Sequence, residues 1–227
     1  MCFSATASFS AGIVLTVIGV ASIKKCNYKS HLLFASIPFI FGVQQFSEGI
    51  LWLIIPRGNY FVLQKMATYI YLFFAHVLWP LWVPIAILLV EKTNSRKLFQ
   101  KLYVAIGIMV SIYLAYCLIN YNVDAKIEGQ HINYILGYSD LMNNFWIFSY
   151  AFATILPPFF SHIKLMWILG ITILVSYIIT QLFYEHYILS VWCFFSSIIS
   201  LMVYYFVKRL SRKFKNIVFK ELQTNPN

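Results

Sequence analysis

The sequence predicts an all-α polytopic membrane helix bundle of about seven transmembrane helices, with the N-terminus outside and the C-terminus cytoplasmic. Three observations predict it. Of the 227 residues 61% are hydrophobic and only 11% charged, whereas a soluble domain carries about a quarter charged residues. That excess of apolar surface has no water-soluble way to be buried, so lipid is the solvent. The apolar residues fall into runs of about twenty, the length that crosses the hydrocarbon as a helix. The basic residues alternate between the two sides that such runs define.

The runs, in order, are Phe3–Ile23, Leu32–Ile55, Met66–Val90, Leu102–Asn120, Leu141–Phe160, Lys164–Tyr184 and Ile188–Val207. No positive charge precedes the first run and Lys24 and Lys25 follow it, the reverse of a secretory leader, so it reads as an inserted helix. It carries Ser4, Ser8 and Gly12 at four-residue spacing, a stripe on which helix backbones approach closely in lipid. That face is expected at the centre of the bundle. The second run is interrupted by Gln44, Gln45, Ser47 and Glu48, and Pro56 and Gly58 end it. Pro157 and Pro158 stop or kink the fifth. A polar stretch of about twenty residues separates the fourth run from the fifth and reads as a loop.

Loops one, three and five and the tail hold Lys24, Lys25, Lys29, Lys92, Arg96, Lys97, Lys101, Lys164, Lys208, Arg209, Arg212, Lys213, Lys215 and Lys220. Of the 17 Lys and Arg residues, that leaves Arg57, Lys65 and Lys126 on the other face. This asymmetry places the first set in the cytoplasm. Trp52, Tyr60, Tyr121, Trp146 and Tyr184 near span ends fit an outer interfacial belt. Residues 1–207 read as one transmembrane domain and 208–227 as a basic amphipathic tail, suited to anionic lipids or to plain positive-inside anchoring. The formal charge of +10 sits in short loops and this tail. It therefore points to the bilayer as partner and away from nucleic acid, and the apolar helix faces leave room for oligomerisation.

Glu48 is the one acid among seven well inside a predicted span. An intramembrane carboxylate is costly and marks a functional site by default. At 1.5 Å per residue it lies roughly 10 Å below the outer boundary, with Gln44 one turn deeper on the same face. His76, on the next span, comes to roughly the same outer half. Gln45, Gln181 and the N-terminal Cys2 and Ser4 approach from that side, as do Glu185, His186 and Cys193. Glu48 and His76 are the candidate catalytic pair, and Gln44, Gln45, Cys2, Ser4 and Gln181 the candidate ligand-binding residues. His76, Glu48, Cys2 and His186 are ligand types for zinc or another transition metal, although no HxxxH or HExxH spacing supports the set. With Met1 removed, Cys2 would present an amine and a thiol together. Hydrogen bonds that only fix helix packing remain the competing explanation of every one of these residues. His131 and His162 read as solvated loop or helix-end residues. The last span has no lysine for a Schiff base, which argues against retinal.

At MCFSATASF, FGVQQFSEGILW and HVLWPLWVPIAIL the chain resembles an uncharacterised bacterial integral-membrane family. Members begin Met-Cys-Phe/Trp-Ser and carry a Gly-Val-Gln-Gln-x-x-Glu segment in the second span. The pattern falls here on Met1, Cys2, Phe3, Ser4, Gly42, Val43, Gln44, Gln45 and Glu48, and a Leu-Trp-x-Pro element on Leu81, Trp82 and Pro84. The resemblance covers roughly the first ninety residues and implies a membrane location, a bacterial inner membrane by its source, and an interest in Cys2 and Glu48. A looser likeness to seven-helix membrane hydrolases with buried zinc lacks their His-x-x-x-His pattern. Three classes stay open: a metal-assisted membrane hydrolase, an ion-coupled carrier titrating at Glu48, and a non-catalytic membrane module.

Overall fold

Helix α1 (Ala5–Lys24) starts where the Ser4 hydroxyl accepts the Ala7 amide at 3.2 Å, supplying one of the acceptors that a helix start lacks. Ser4 is thus an exposed helix cap, not part of a packed stripe. The stripe begins one turn later, with Ser8, Ala11, Gly12, Leu15, Gly19 and Ser22 buried. It packs against α2 (Ile37–Ile54) in an antiparallel pairing that sets Gly12 beside Phe46, Gly19 beside Phe39 and Gly49 beside Phe9. At Gly19 a β-carbon would fall 2.4 Å from the Phe39 amide nitrogen, so the two backbones touch. From Ser8 onward that face is buried against α2, as expected of it. Ile13, Val14 and Val17 on the opposite face of α1 are exposed, which places the helix at the rim. The structure is a computed structural model and describes residues 4–141, 144–183 and 195–212.

A short turn at Gly58, whose φ of 65° is left-handed, returns the chain into α3 (Phe61–Leu72). A π-helical turn, Phe73–Leu78, joins α3 without a break to α4 (Trp79–Val90). The Trp79 amide reaches back five residues to the Phe74 carbonyl. Proline chemistry accounts for the irregularity. Pro80 and Pro84 lack the N–H that an α-helix needs, so nearby carbonyls seek other donors. Tyr150 donates its hydroxyl to the Ala75 carbonyl, and Ser111 donates to the Val77 carbonyl at 2.8 Å. The Pro80 carbonyl turns towards α5 (Asn94–Asn120), where Gly107 leaves room for it.

The mid-chain polar stretch is not a plain loop. Val123–Glu128 (β1) and His131–Leu136 (β2) form an antiparallel hairpin, in register from Val123 opposite Leu136 to Glu128 opposite His131. Gly129, at φ 61°, makes the two-residue turn possible. Ala125, Ile132 and Tyr134 point inward and are buried, and His131 is a half-buried strand residue. The hairpin lies on the α3 end of the bundle. Tyr134 stacks on Tyr71 with ring centroids 4.5 Å apart, and the Gln64 amide donates to the Ala125 carbonyl at 3.0 Å.

Helix α6 (Asn144–Ile155) follows, then a 3-10 turn at Pro157–Phe160, then α7 (Lys164–Phe183). Residues 195–212 are helical as well, and Phe206 packs on Phe34. Five helices among the described residues are long and apolar enough to cross a membrane: Ala5–Lys24, Lys29–Arg57, Phe61–Val90, Asn94–Asn120 and Lys164–Phe183. The predicted span Leu141–Phe160 is represented by the 12-residue α6. At 1.5 Å per residue that is about 18 Å, short of the roughly 30 Å hydrocarbon core. The predicted last span begins outside the described residues, as does the tail beyond residue 212.

At the opposite end from the hairpin, Glu91 closes α4 and is only 2% exposed. Its carboxylate accepts the amides of Lys92 at 3.0 Å, Thr93 at 2.9 Å and His162 at 2.7 Å. The His162 ring nitrogen Nδ1 lies 2.8 Å away, so this residue, read from sequence as solvated, is a partner of a buried acid. Glu91 thereby ties the turn after α4 to the segment before α7. Burial alone would push its carboxyl up, but the Thr93 and His162 amides and the His162 ring outweigh burial and hold it below the ordinary value of 4.5. A depressed folded pKa means the contribution is complete above the unfolded value and is lost as pH falls through the folded one. Glu91→Ala is therefore expected to cost about 2 kcal/mol at neutral pH, by leaving buried amides without an acceptor. The gap in melting temperature between variant and wild type should close below the carboxylate range, which thermal unfolding in detergent across pH would measure.

Candidate functional site

The polar interruption of α2 becomes a layer inside the bundle. Gln44 is 3% exposed, Gln45 1% and Glu48 0%. Gln45 and Glu48 are three residues apart on one helical face, and the Gln45 amide donates to the Glu48 carboxylate at 2.7 Å. Gln44 faces the next helix, where its carbonyl oxygen accepts the Trp79 indole N–H at 2.8 Å. The Trp79 ring is stacked on Phe41 at 4.1 Å, which fixes the indole direction.

The Gln44–Trp79 bond also sets the relative height of two antiparallel helices. Glu48 lies one turn past Gln44 along α2, and His76 lies three residues before Trp79, in the π-helical turn. At about 1.5 Å per residue both moves carry the chain to the same level. Along α1, the pairing of Phe9 with Gly49 brings Ser8 to this level too. The Ser8 hydroxyl is fully buried and has no hydrogen-bond partner among the described residues.

His76 is 4% exposed. Its Nδ1 is 2.7 Å from the Tyr138 hydroxyl, and the two rings meet edge to face at 6.0 Å. Burial raises the Tyr138 hydroxyl above the ordinary phenol range, so it stays a neutral partner. An imidazole with one nitrogen tied to a neighbouring group, leaving the other to bind or exchange a proton, is how proteins orient a histidine for ligation or acid–base work. The π-helical turn adds to this, since such turns are frequent at functional sites.

The other predicted residues divide plainly. Ser4 caps α1 at an exposed helix start, and Gln181 is half-buried near the end of α7. Cys2, Glu185, His186 and Cys193 lie outside the described residues. Among those described, no group of three or more His, Cys, Asp or Glu is arranged to hold a metal ion. Cys117 is a buried free thiol, and Cys26 donates to the Tyr28 carbonyl at 3.1 Å. A concavity of about 600 Å³ lies on α5, lined by Ala105, Ile108, Met109, Ile112, Tyr113 and Tyr116, none of them from the polar layer.

Sequence reasoning missed Trp79 and Tyr138. Trp79 had a signal, as it precedes Pro80 and stands one helical turn from His76 on the same face. Tyr138 had none, because 62 residues separate it from His76. A family model described as a family of unknown function (DUF6629) matches residues 1–217. The match thus runs well past the first ninety residues, which alone had carried a resemblance. No curated protein and no solved structure matches the chain.

Proposed function

We propose that this chain, which belongs to the family of unknown function DUF6629, is an integral membrane protein whose Glu48–His76 layer binds a small polar ligand or a transition-metal ion. In this reading it has seven spans, with the N-terminus outside and the C-terminus in the cytoplasm, the orientation favoured by the distribution of Lys and Arg. The layer then lies in the outer half of the bilayer. The observation that carries the reading is His76 on its π-helical turn, buried and held at Nδ1 by Tyr138, one span away from the buried carboxylate of Glu48. Glu48 supplies negative charge and His76 a lone pair, the donor types that a zinc-assisted hydrolase site needs, with Cys2 and His186 as candidate further ligands.

Titration of detergent-purified protein with Zn²⁺, followed by thermal shift and elemental analysis, tests the metal form of the reading. Wild type is expected to gain about 2.7 kcal/mol of stability at a hundredfold excess of metal over Kd, read as a rise in melting temperature. Glu48→Gln and His76→Gln should each abolish the gain. An equal gain in both variants would place the metal elsewhere.

A second reading, an ion-coupled carrier titrating at Glu48, is favoured by the depth of that carboxylate within a candidate span. It requires proton flux into liposomes that carry the wild type and none into liposomes that carry Glu48→Gln.

A further inference from the structure

We propose that Ser8 and Trp52 form a hydroxyl-binding corner of the Glu48 layer, two buried donors that hold the oxygen of one hydroxyl group, of an alcohol or of water, beside the carboxylate. The inference rests on the reading of that layer as a binding site and names the chemical group that it takes.

Two unsatisfied donors carry it. The Ser8 side chain is 0% exposed, and its Oγ has no hydrogen-bond partner among the described residues. The Trp52 indole nitrogen Nε1 is also buried and likewise unpartnered among them. Buried polar groups are nearly always paired, so each exception asks for an occupant. Neighbouring side chains keep that rule. Thr16 donates to the Gly12 carbonyl at 2.7 Å, Ser22 to that of Ile18 at 2.8 Å and Ser47 to that of Gln44 at 2.6 Å. Trp79 and Trp82 donate their indole N–H to Gln44 and to the Leu33 carbonyl. A tryptophan near a span end ordinarily turns its N–H to the wet interface, whereas that of Trp52 is buried.

The helix register brings the two donors together. Phe9 beside Gly49 and Gly12 beside Phe46 set Ser8 level with Ile50. Trp52 starts two residues, about 3 Å, further along α2. Helical side chains lean towards the N-terminus of their own helix. In this antiparallel pair the lean carries Trp52 back towards Glu48, and Ser8 forward towards Trp52. Around the helix axis, Trp52 lies about 40° from Glu48 and about 20° from Gln45. Ser8 shares the buried edge of α1 with Ala11 and Leu15, while Val14, Val17 and Leu53 on the outer sides of the two helices are exposed. Both donors therefore lie on the inner side of the α1–α2 contact.

Two donors aimed at one point require an acceptor there. A bare cation would meet two positive hydrogens, and an anion would meet the Glu48 carboxylate. A carbonyl or ether oxygen satisfies the donors but has no hydrogen for that carboxylate. A hydroxyl oxygen accepts two bonds and gives one.

The test turns on a sign. Ser8→Ala removes one hydroxyl and leaves almost no void. If the donor were empty, its loss would raise the melting temperature in detergent, and the better helix propensity of alanine would add to the rise. A donor that holds an oxygen is missed instead. Ser8→Ala is expected to lower the melting temperature by about 2–4 °C, the equivalent of one hydrogen bond in a chain of this size. The second readout is the Trp52 indole proton in NMR of isotope-labelled protein, assigned by its absence from Trp52→Phe. It is expected at a hydrogen-bonded, downfield shift and should move upfield in Ser8→Ala, because both donors share one oxygen. Native mass spectrometry of the protein as extracted separates the two sources. An adduct whose occupancy falls roughly fivefold or more in Ser8→Ala is the alcohol, and no adduct alongside the other two results is water. An unchanged or higher melting temperature in Ser8→Ala overturns the proposal, as does an indole proton that stays in place. An adduct lost in Glu48→Gln and kept in full by Ser8→Ala overturns the corner and leaves the binding reading standing.

Discussion

Gly107→Ala should be among the most destabilising single-methyl additions in this chain. A β-carbon built there falls 2.0 Å from the Pro80 carbonyl oxygen and 3.1 Å from its carbon. Pro84 explains why that oxygen is so close. Four residues on, it has no N–H to bond the Pro80 carbonyl, which is turned outward against α5. Both contacting groups are backbone within helices, so neither can swing aside as a side chain would. Overpacking in a tight core costs about 1–3 kcal/mol, and a clash of this depth belongs at or above the top of that range. We expect Gly107→Ala to lower the yield of monodisperse protein sharply and to depress the melting temperature of what remains. Ala105→Val, on the exposed face of the same helix, should behave as wild type. Size-exclusion profiles and thermal unfolding in detergent would check both.

Glu48 is where the second large effect is expected, and two substitutions separate its roles. In Glu48→Ala the buried Gln45 amide loses its 2.7 Å acceptor, and the carboxylate's volume becomes a void. An unsatisfied buried donor costs about 1–3 kcal/mol, and the cavity adds to it. Glu48→Gln keeps the volume and an acceptor oxygen, so its melting temperature should stay close to wild type. What it loses is negative charge and the ability to titrate. Glu48→Ala is therefore expected to impair both stability and ligand binding, and Glu48→Gln binding alone. If the two behave alike in every assay, with only melting temperature affected, the layer is a packing device.

The parts of this structure legible in the sequence were those that rest on local period and on span length. Among the described residues, runs of apolar residues gave helices long enough to cross a membrane at five of the seven expected positions. The four-residue step from Gln44 to Glu48 put both side chains on one helix, where both are buried. The rest depends on contacts between distant residues or on backbone atoms. The hairpin alternates inward Ala125 and Ile127 with outward Asp124, Lys126 and Glu128, but its composition is polar enough to read as a loop. The π-helical turn leaves hydropathy unchanged, so only the proline at Pro80 hinted at it. Glu91 follows a span and precedes Lys92, which makes it look like a solvated end. Its main partners are backbone amides, one of them 71 residues away. The short α6 reflects Pro157, whose stop was visible although its effect on span length was not.

Native mass spectrometry of the protein extracted from membranes tests most directly the claim that the Glu48–His76 layer is a binding site. Wild type is expected to carry an added mass, metal or small molecule, that survives gentle removal of detergent. Glu48→Gln and His76→Gln should lack it while remaining folded by thermal unfolding. An adduct of the same mass and occupancy in all three proteins would contradict the account, as would wild type with none.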